Sequence, residues 1–344
     1  MALVLVVGAG VTGLVTAIRC ALTGHRVTVL DRGPVPNPAS TSADEHRVLR
    51  LLRPGDLDAT RRMIEARDRW LGLESLLRTK FFRRVGIVTA CAPDEVEPVL
   101  DIAREARAAA AVVAPETLAP VAFPAGTTGV LDRAAGVLLA EKFLRTAAEW
   151  LAAHPAVTLR PGCAVSDVDD HRVVLADGTP LGADVVVVAA GPWSAELAGD
   201  PVRLHRQTMV YLRAPQRLAA WWASAPGVGR IGAHRTAWLV PPGDGTLLKI
   251  SSDAVCREVD RITDPDPAPW ADRLLAESIL ADLGDYDVVG VRDGHYATDP
   301  ATGGPVLTRV CPSVWCRSAC GGTGFSSAPL VADEIVDAVM EVSA

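Results

Sequence analysis

Gly8, Gly10 and Gly13 stand in the spacing G-x-G-x-x-G directly after the apolar run Leu3 to Val7, and a second apolar run, Val27 to Leu30, closes on Asp31. The chemistry this spacing serves is the gripping of the adenosine half of a dinucleotide. Gly8 permits a tight turn, Gly10 lets the backbone approach a pyrophosphate, and Gly13 lets helix and strand pack closely. The amides that open the helix face the phosphates, and Asp31 would accept a ribose hydroxyl. Glycine-rich turns are common, so the weight comes from the setting: two flanking strands, Ala17 in the helix, Gly24 at its end and the acid all fall in place. Lys249 is the second residue of interest, in Leu247-Leu248-Lys249-Ile250, and is one of three lysines with Lys80 and Lys142. An ammonium emerging from an apolar strand is costly unless it has a partner. The plainer reading is an edge-strand lysine that snorkels to water.

These residues need a frame to hold them. A chain of 344 residues with 49% hydrophobic content is about two ordinary domains long and furnishes a substantial core. The net charge of -7, with no Lys/Arg-rich block, argues against nucleic acid or an anionic membrane as partner. The apolar start, Ala2 to Val7, has no basic residue before it and is interrupted at once by glycines, so it reads as a buried strand rather than an export signal. No stretch approaches the roughly twenty apolar residues of a membrane span. Seven scattered cysteines in a chain of this size point to the cytoplasm. Cys311, Cys316 and Cys320 crowd together without the C-x-x-C pairing or nearby histidines of a zinc site, so no metal is expected.

Along the chain, Pro34 to Ser42 reads as an irregular loop leaving the nucleotide unit. Helices are predicted over Asp58 to Leu77, Glu97 to Ala111, Glu141 to Ala153, Trp270 to Leu283 and Pro329 to Val342. Strands are predicted at Gly86 to Ala90, Val157 to Leu159, Arg206 to Leu212, Ala237 to Val240, Thr246 to Ser251, Pro305 to Val310 and Val314 to Ala319. His171 to Leu175 forms a hairpin with its turn at Asp177-Gly178. Val185-Val186-Val187-Val188-Ala189-Ala190 is a fully buried strand by its unbroken run, ended by Gly191-Pro192-Trp193. A strand ending in an acid, joined by a late Ala-Ala-Gly strand, suits a flavin dinucleotide domain built from discontinuous chain.

Four segments resemble the FAD-dependent amine and amino-acid oxidases related to glycine oxidase and D-amino-acid oxidase, most closely the monomeric sarcosine oxidase branch. They are Gly8 to Asp31, Thr41 to Arg50 (TSADEHRVLR), Leu247 to Ile250, and Gly322-Thr323-Gly324-Phe325 with Pro329 soon after. The resemblance implies an α/β fold of the glutathione-reductase type: a Rossmann-like FAD-binding domain (1–80, 136–200 and 291–344) and a second α+β substrate domain on an antiparallel sheet (81–135 and 201–290). It places Arg47 beside the flavin and Arg50 on the substrate carboxylate, where a planar guanidinium offers a bidentate fork and stays charged when buried. Two surface arginines on one helical face are the alternative. Lys249 would hold a water against flavin N5 and promote oxygen reduction, and Trp238 would face the substrate, though ordinary packing explains a tryptophan equally well. Further cofactor contacts implied are Arg32, Ser42, Val165, Gly191 and the amides of Gly322, Thr323 and Gly324 at the pyrimidine carbonyl, unless those glycines form a simple turn.

Departures from the branch reshape the expectation. Ser326-Ser327 stands where a second carboxylate-binding lysine would lie, and Asp253 replaces a substrate-side histidine. Gly294, two residues before Tyr296, occupies the place of the cysteine that tethers flavin. Binding of FAD is therefore expected to be non-covalent, with His295 as a substitute tether or a pocket residue. The implied activity is oxidation of the C–N bond of an amine or of an N-alkyl or cyclic amino acid by hydride transfer to flavin N5, with oxygen reduced to hydrogen peroxide. The alternatives are a flavin dehydrogenase or monooxygenase of secondary metabolism on a larger substrate, an NAD dehydrogenase without flavin, and a catalytically silent binding module.

Overall fold

The unbroken apolar run Leu3–Val7, three of its five residues valine, suits a strand covered on both faces, and it lies at the heart of a six-stranded sheet. In a computed structural model describing residues 1–263 and 266–343, the strand order is Pro305–Cys311, Val314–Cys320, Val185–Val188, Leu3–Val7, Arg26–Leu30, Val157–Arg160. All neighbours are parallel except the outermost pair, Pro305–Cys311 against Val314–Cys320. Val4 lies between Val27 and Val185, which fixes the register so that the ends of the central strands converge on Gly8. Helix Val11–Leu22 returns the chain from the first strand to the second. The long terminal helix Gly324–Ser343 and helix Ala140–Ala153 share its core cluster.

The second large sheet has strand order Cys256–Val259, Arg203–Arg213, Leu248–Ser252, Ala237–Val240, Gly227–Ile231, Ile87–Cys91, Thr128–Asp132, Ala110–Val113. Strand Asp287–Thr298 also pairs along Arg203–Arg213. Every pairing is antiparallel except that of Gly227–Ile231 with Ile87–Cys91. The boundary expected at residue 291 falls inside Asp287–Thr298, whose partner belongs to this second sheet. A small sheet of Arg47–Leu49, Gly136–Leu138 and Phe82–Arg83 carries the chain between the two. Trp70 locks that region: fully buried, it stacks on Phe325 at 5.6 Å, meets Phe143 edge-on at 4.7 Å and donates its indole N–H to Ser326 O at 3.0 Å.

Three predicted helices need correction. The helix expected at Glu97 to Ala111 is Pro93–Glu105, because Pro93 and Glu95 set its start, where Ala92 N–H donates to the Glu95 carboxylate at 2.7 Å. Arg107, at φ 55°, ends it, and the alanine run that followed becomes an edge strand paired with Thr128–Asp132. The helix expected at Trp270 to Leu283 is only Ala268–Leu275. Beyond it Leu280 makes a bridge with Val121 that pulls the chain onto the other strand connection. The last helix begins at Gly324 rather than Pro329, its first turn closed by Ser327 N–H to Thr323 O at 3.0 Å. Among the described residues no helix is long and apolar enough to cross a membrane.

Candidate active site

A cavity of about 820 Å³ runs from the glycine turn to the face of the second sheet. At its nucleotide end the glycines are demanded by contact: a Cβ on Gly8 would lie 2.5 Å from Ala189 O, and one on Gly13 would lie 1.9 Å from Gly8 O. Gly10, which has no side chain to cap the helix, meets only the Ser42 hydroxyl. Ser42 Oγ accepts from Val11 N–H at 3.0 Å. Ser42 thus takes the first amide of the helix, and Thr12 lines the cavity beside it at the positive end of the helix, where an anionic pyrophosphate is favoured. Asp31 accepts from Ala9 N–H, Gly33 N–H and Asn37 Nδ2, each at 2.8 Å, and its oxygens retain lone pairs for a hydroxyl. The Arg32 guanidinium lies 3.9 Å over the Trp193 ring, and Cys163 and Val165 line the same end. A cradle with no room for Cβ atoms at Gly8 and Gly13, a helix N-terminus and an acid suits the adenine dinucleotide end of FAD.

At the other end the cavity is lined by Arg47, Arg50, Trp238, Lys249, Asp253, His295 and Tyr296, and between the ends by Gly191, Gly322, Thr323 and Gly324. Of the residues singled out from sequence, only Gly13 stands outside the lining, buried beneath the turn. Arg47–Leu49 is a strand, so the two arginines do not share a helical face. Gly322, at φ 71°, packs against the Tyr296 ring in the turn that opens the terminal helix. Among the described residues Arg50 Nε is buried without a hydrogen-bond partner. Desolvation, with Arg53 nearby, draws the Arg50 pKa down to about 10, still charged at neutral pH. Desolvation raises the Asp253 carboxyl against the opposing pull of Arg50.

Lys249 does not stand alone. Its Nζ donates to Asp44 Oδ2 at 2.8 Å and to His46 O at 2.5 Å, with the side chains of Lys249 and Asp44 only 2% and 1% exposed. Asp44 also receives the Tyr211 hydroxyl at 2.7 Å, the Glu45 N–H at 2.7 Å and an ion pair from Arg47. Burial, reinforced by Arg47, holds the Lys249 pKa well below its ordinary value. Asp44 and Tyr211 were missed by sequence reasoning, as were Arg53, Arg230, Arg235 and Trp193. Asp44 lies inside the T-S-A-D-E-H-R segment, but its partner is far along the chain, and the only signal was that a buried lysine must have an anion somewhere.

His46, fully buried, faces Leu247 O with Nε2 at 2.9 Å while Nδ1 has no partner among the described residues, so the ring is neutral with its proton assigned to Nε2. Burial and the Lys249 charge press its pKa down to about 2. Its contribution to stability is complete above the unfolded value near 6.5 and is lost as pH falls toward 2, at up to about 1.4 kcal/mol per pH unit. Urea midpoints from pH 7 to 5 should fall more steeply for the native chain than for His46→Gln. Parallel pH profiles would show that this histidine titrates normally.

A glycine-cradled dinucleotide groove leading into a cationic pocket on a second sheet defines a nucleotide-dependent redox enzyme. The chain belongs to the DAO family of FAD-dependent oxidoreductases, whose pattern matches residues 4–338. Among curated proteins it is 26% identical to human peroxisomal sarcosine oxidase, over 56% of this chain and 51% of the relative. It is 28% identical to the tRNA 5-methylaminomethyl-2-thiouridine biosynthesis bifunctional protein MnmC of Chromohalobacter salexigens, over 54% of this chain and 32% of that protein. The chain thus spans about half the length of the curated sarcosine oxidase it matches, and less of the bifunctional protein. In fold it is similar to NikD, an unusual amino acid oxidase essential for nikkomycin biosynthesis, with TM-score 0.81, 19% identity, and coverage of 98% of this chain and 93% of that one. It is also similar to the deglycating fructosamine oxidase of Aspergillus fumigatus, with TM-score 0.78, 22% identity, and coverage of 99% and 87%.

Proposed function

We propose that this FAD-dependent oxidoreductase oxidises the C–N bond of a small amine that carries a carboxylate, an amino acid with a primary, N-alkyl or cyclic nitrogen. The observation that carries this reading is Arg50, a charged guanidinium lining the cavity, whose buried Nε has no hydrogen-bond partner among the described residues. Bound FAD would supply the redox chemistry, taking a hydride at N5 from the carbon next to nitrogen and passing the electrons to oxygen as hydrogen peroxide. Arg50 would fork a carboxylate and so fix which carbon is presented. Trp238 and Tyr296 would wall the apolar part of the substrate, and Lys249 would place positive charge where oxygen is reduced. The nitrogen must be neutral to release a hydride, so turnover should rise with pH. With glycine at position 294, attachment of the flavin is read as non-covalent, with His295 as a wall residue.

A dehydrogenase reading has one observation in its favour: the Lys249 charge is already matched by Asp44, which weakens it as an aid to oxygen. Spectra of purified protein before and after acid precipitation test flavin and its attachment together. Anaerobic mixing with sarcosine, proline and pipecolate should bleach the flavin band, and air should restore it with peroxide release. Flavin that no amine bleaches would end the reading, and bleaching without peroxide would favour the dehydrogenase.

A further inference from the structure

Arg50 has company that the handling of one carboxylate does not require. Arg53 lines the same cavity and makes no side-chain hydrogen bond among the described residues. Arg230 and Arg235 line it too, and both reach Glu95, Arg230 at 2.6 Å. Their backbones are unusual: Arg230 has φ 61° and Arg235 φ 57°, in the left-handed region that arginine seldom adopts. Arg230 is the extra residue of a bulge, where the pairing of Gly227–Ile231 with Ala237–Val240 slips between Gly229 and Ile231. Bulges re-aim side chains beside active sites, and strained backbone persists where surrounding structure over-determines it. The bulge also leaves Gly229 facing Arg50, where an added Cβ would come within 3.0 Å of the guanidinium.

The charges do not balance. Four guanidiniums, on Arg50, Arg53, Arg230 and Arg235, meet three carboxylates: Glu95 is held by Arg230 and Arg235, Asp253 faces Arg50, and Arg53 feels only the exposed Asp56, which is already engaged in capping the helix that follows. Glu95 is further anchored by the Ala92 N–H, so it serves as a bracket for both of its arginines. The pyrophosphate seat does not account for the surplus, because it lies at Gly10 and Ser42, whereas this cluster gathers against strand Gly227–Ile231. A ligand with a single carboxylate on Arg50 leaves the Arg53 guanidinium without a hydrogen-bonded anion among the described residues, in a partly dry wall, which is costly.

We infer that the substrate carries two anionic groups: a carboxylate beside the amine, taken by Arg50, and a second carboxylate further along, taken by Arg53 and Arg230 with Arg235 braced behind them. This rests on the amine-oxidising reading and narrows its substrate to an amino dicarboxylate. The native flavin-loaded protein should therefore prefer dianions over monoanions of the same carbon count. Titration followed by flavin absorbance and by calorimetry should find succinate about 10- to 100-fold tighter than butyrate, and glutarate likewise tighter than valerate, the factor one charge-assisted hydrogen bond supplies. The preference should collapse in Arg53→Gln and in Arg230→Gln. Equal affinity of each pair for the native protein overturns the inference, with no variant needed. In that case monocarboxylate binding that disappears in Arg50→Gln would leave the amine-oxidising reading intact. Failure of every carboxylate to bind would sink both.

Discussion

Arg50→Gln should lower kcat/KM for sarcosine, proline or pipecolate by about 10²- to 10³-fold, while the protein still folds and still carries flavin. The magnitude is that of removing one partner from a desolvated charge pair, about 2–5 kcal/mol. Gln keeps a planar polar head but loses the charge and the second donor of the fork. The control lies in the substrate: dimethylamine and piperidine have no carboxylate, so their slower oxidation should hardly change in the variant. Steady-state kinetics on both sets, with flavin content measured by absorbance, separates the outcomes. An equal loss for both sets would mean that Arg50 holds the pocket's shape rather than the substrate's acid. Arg50→Lys should recover only part of the loss, since an ammonium cannot form the bidentate pair.

Asp44→Asn should destabilise the protein by about 3–5 kcal/mol, the cost of breaking a buried ion pair from one side. The carboxylate is shared by Lys249, Tyr211 and Arg47, and its replacement leaves the buried Lys249 and the partly exposed Arg47 facing a neutral amide. Urea unfolding should show the midpoint reduced by about 1 M or more. A kinetic signature follows from the sign of the Lys249 shift. Its pKa already lies far below the ordinary lysine value, and loss of the neighbouring anion depresses it further, so the amine is charged only below that lowered pKa. Reoxidation of the flavin by air should therefore begin to slow at a lower pH in Asp44→Asn than in the native chain, and Lys249→Met should abolish that dependence. Stability and reoxidation both like those of the native chain would show that Asp44 neither anchors nor tunes the lysine.

What was legible in the sequence followed the range of the interaction. The glycine turn, its flanking strands and Asp31 span about thirty residues, and each depends on neighbours close in the chain, so strand, turn and helix were read with their bounds nearly right. Arg47 and Arg50 were visible through the resemblance of Thr41 to Arg50 to the amine oxidases, and Lys249 also because an ammonium in an apolar strand needs an explanation. Their meeting in one cavity is a matter of topology that no local pattern carries. Asp44 escaped because its meaning is set by Lys249 on a distant strand. Arg230 and Arg235 escaped for another reason: bulges and left-handed φ values are usually signalled by Gly or Asn, and arginine gives no such sign. The alanine run after Glu105 shows the opposite failure. Helix propensity favoured continuing the helix, and pairing with Thr128–Asp132 prevailed.

The three residues 44–46 also act as a rivet. Glu45 accepts the Leu247 N–H at 2.7 Å, and His46 meets the Leu247 carbonyl at 2.9 Å. Asp44 takes Lys249, while the backbone carbonyls of Asp44 and Glu45 cap the start of helix Ala140–Ala153. Both halves of the molecule are pinned at one seam beside the cavity, which leaves no clamshell motion centred there. Entry and exit of small molecules should then not require the two sheets to part at this seam, since parting them there would break all of these contacts together.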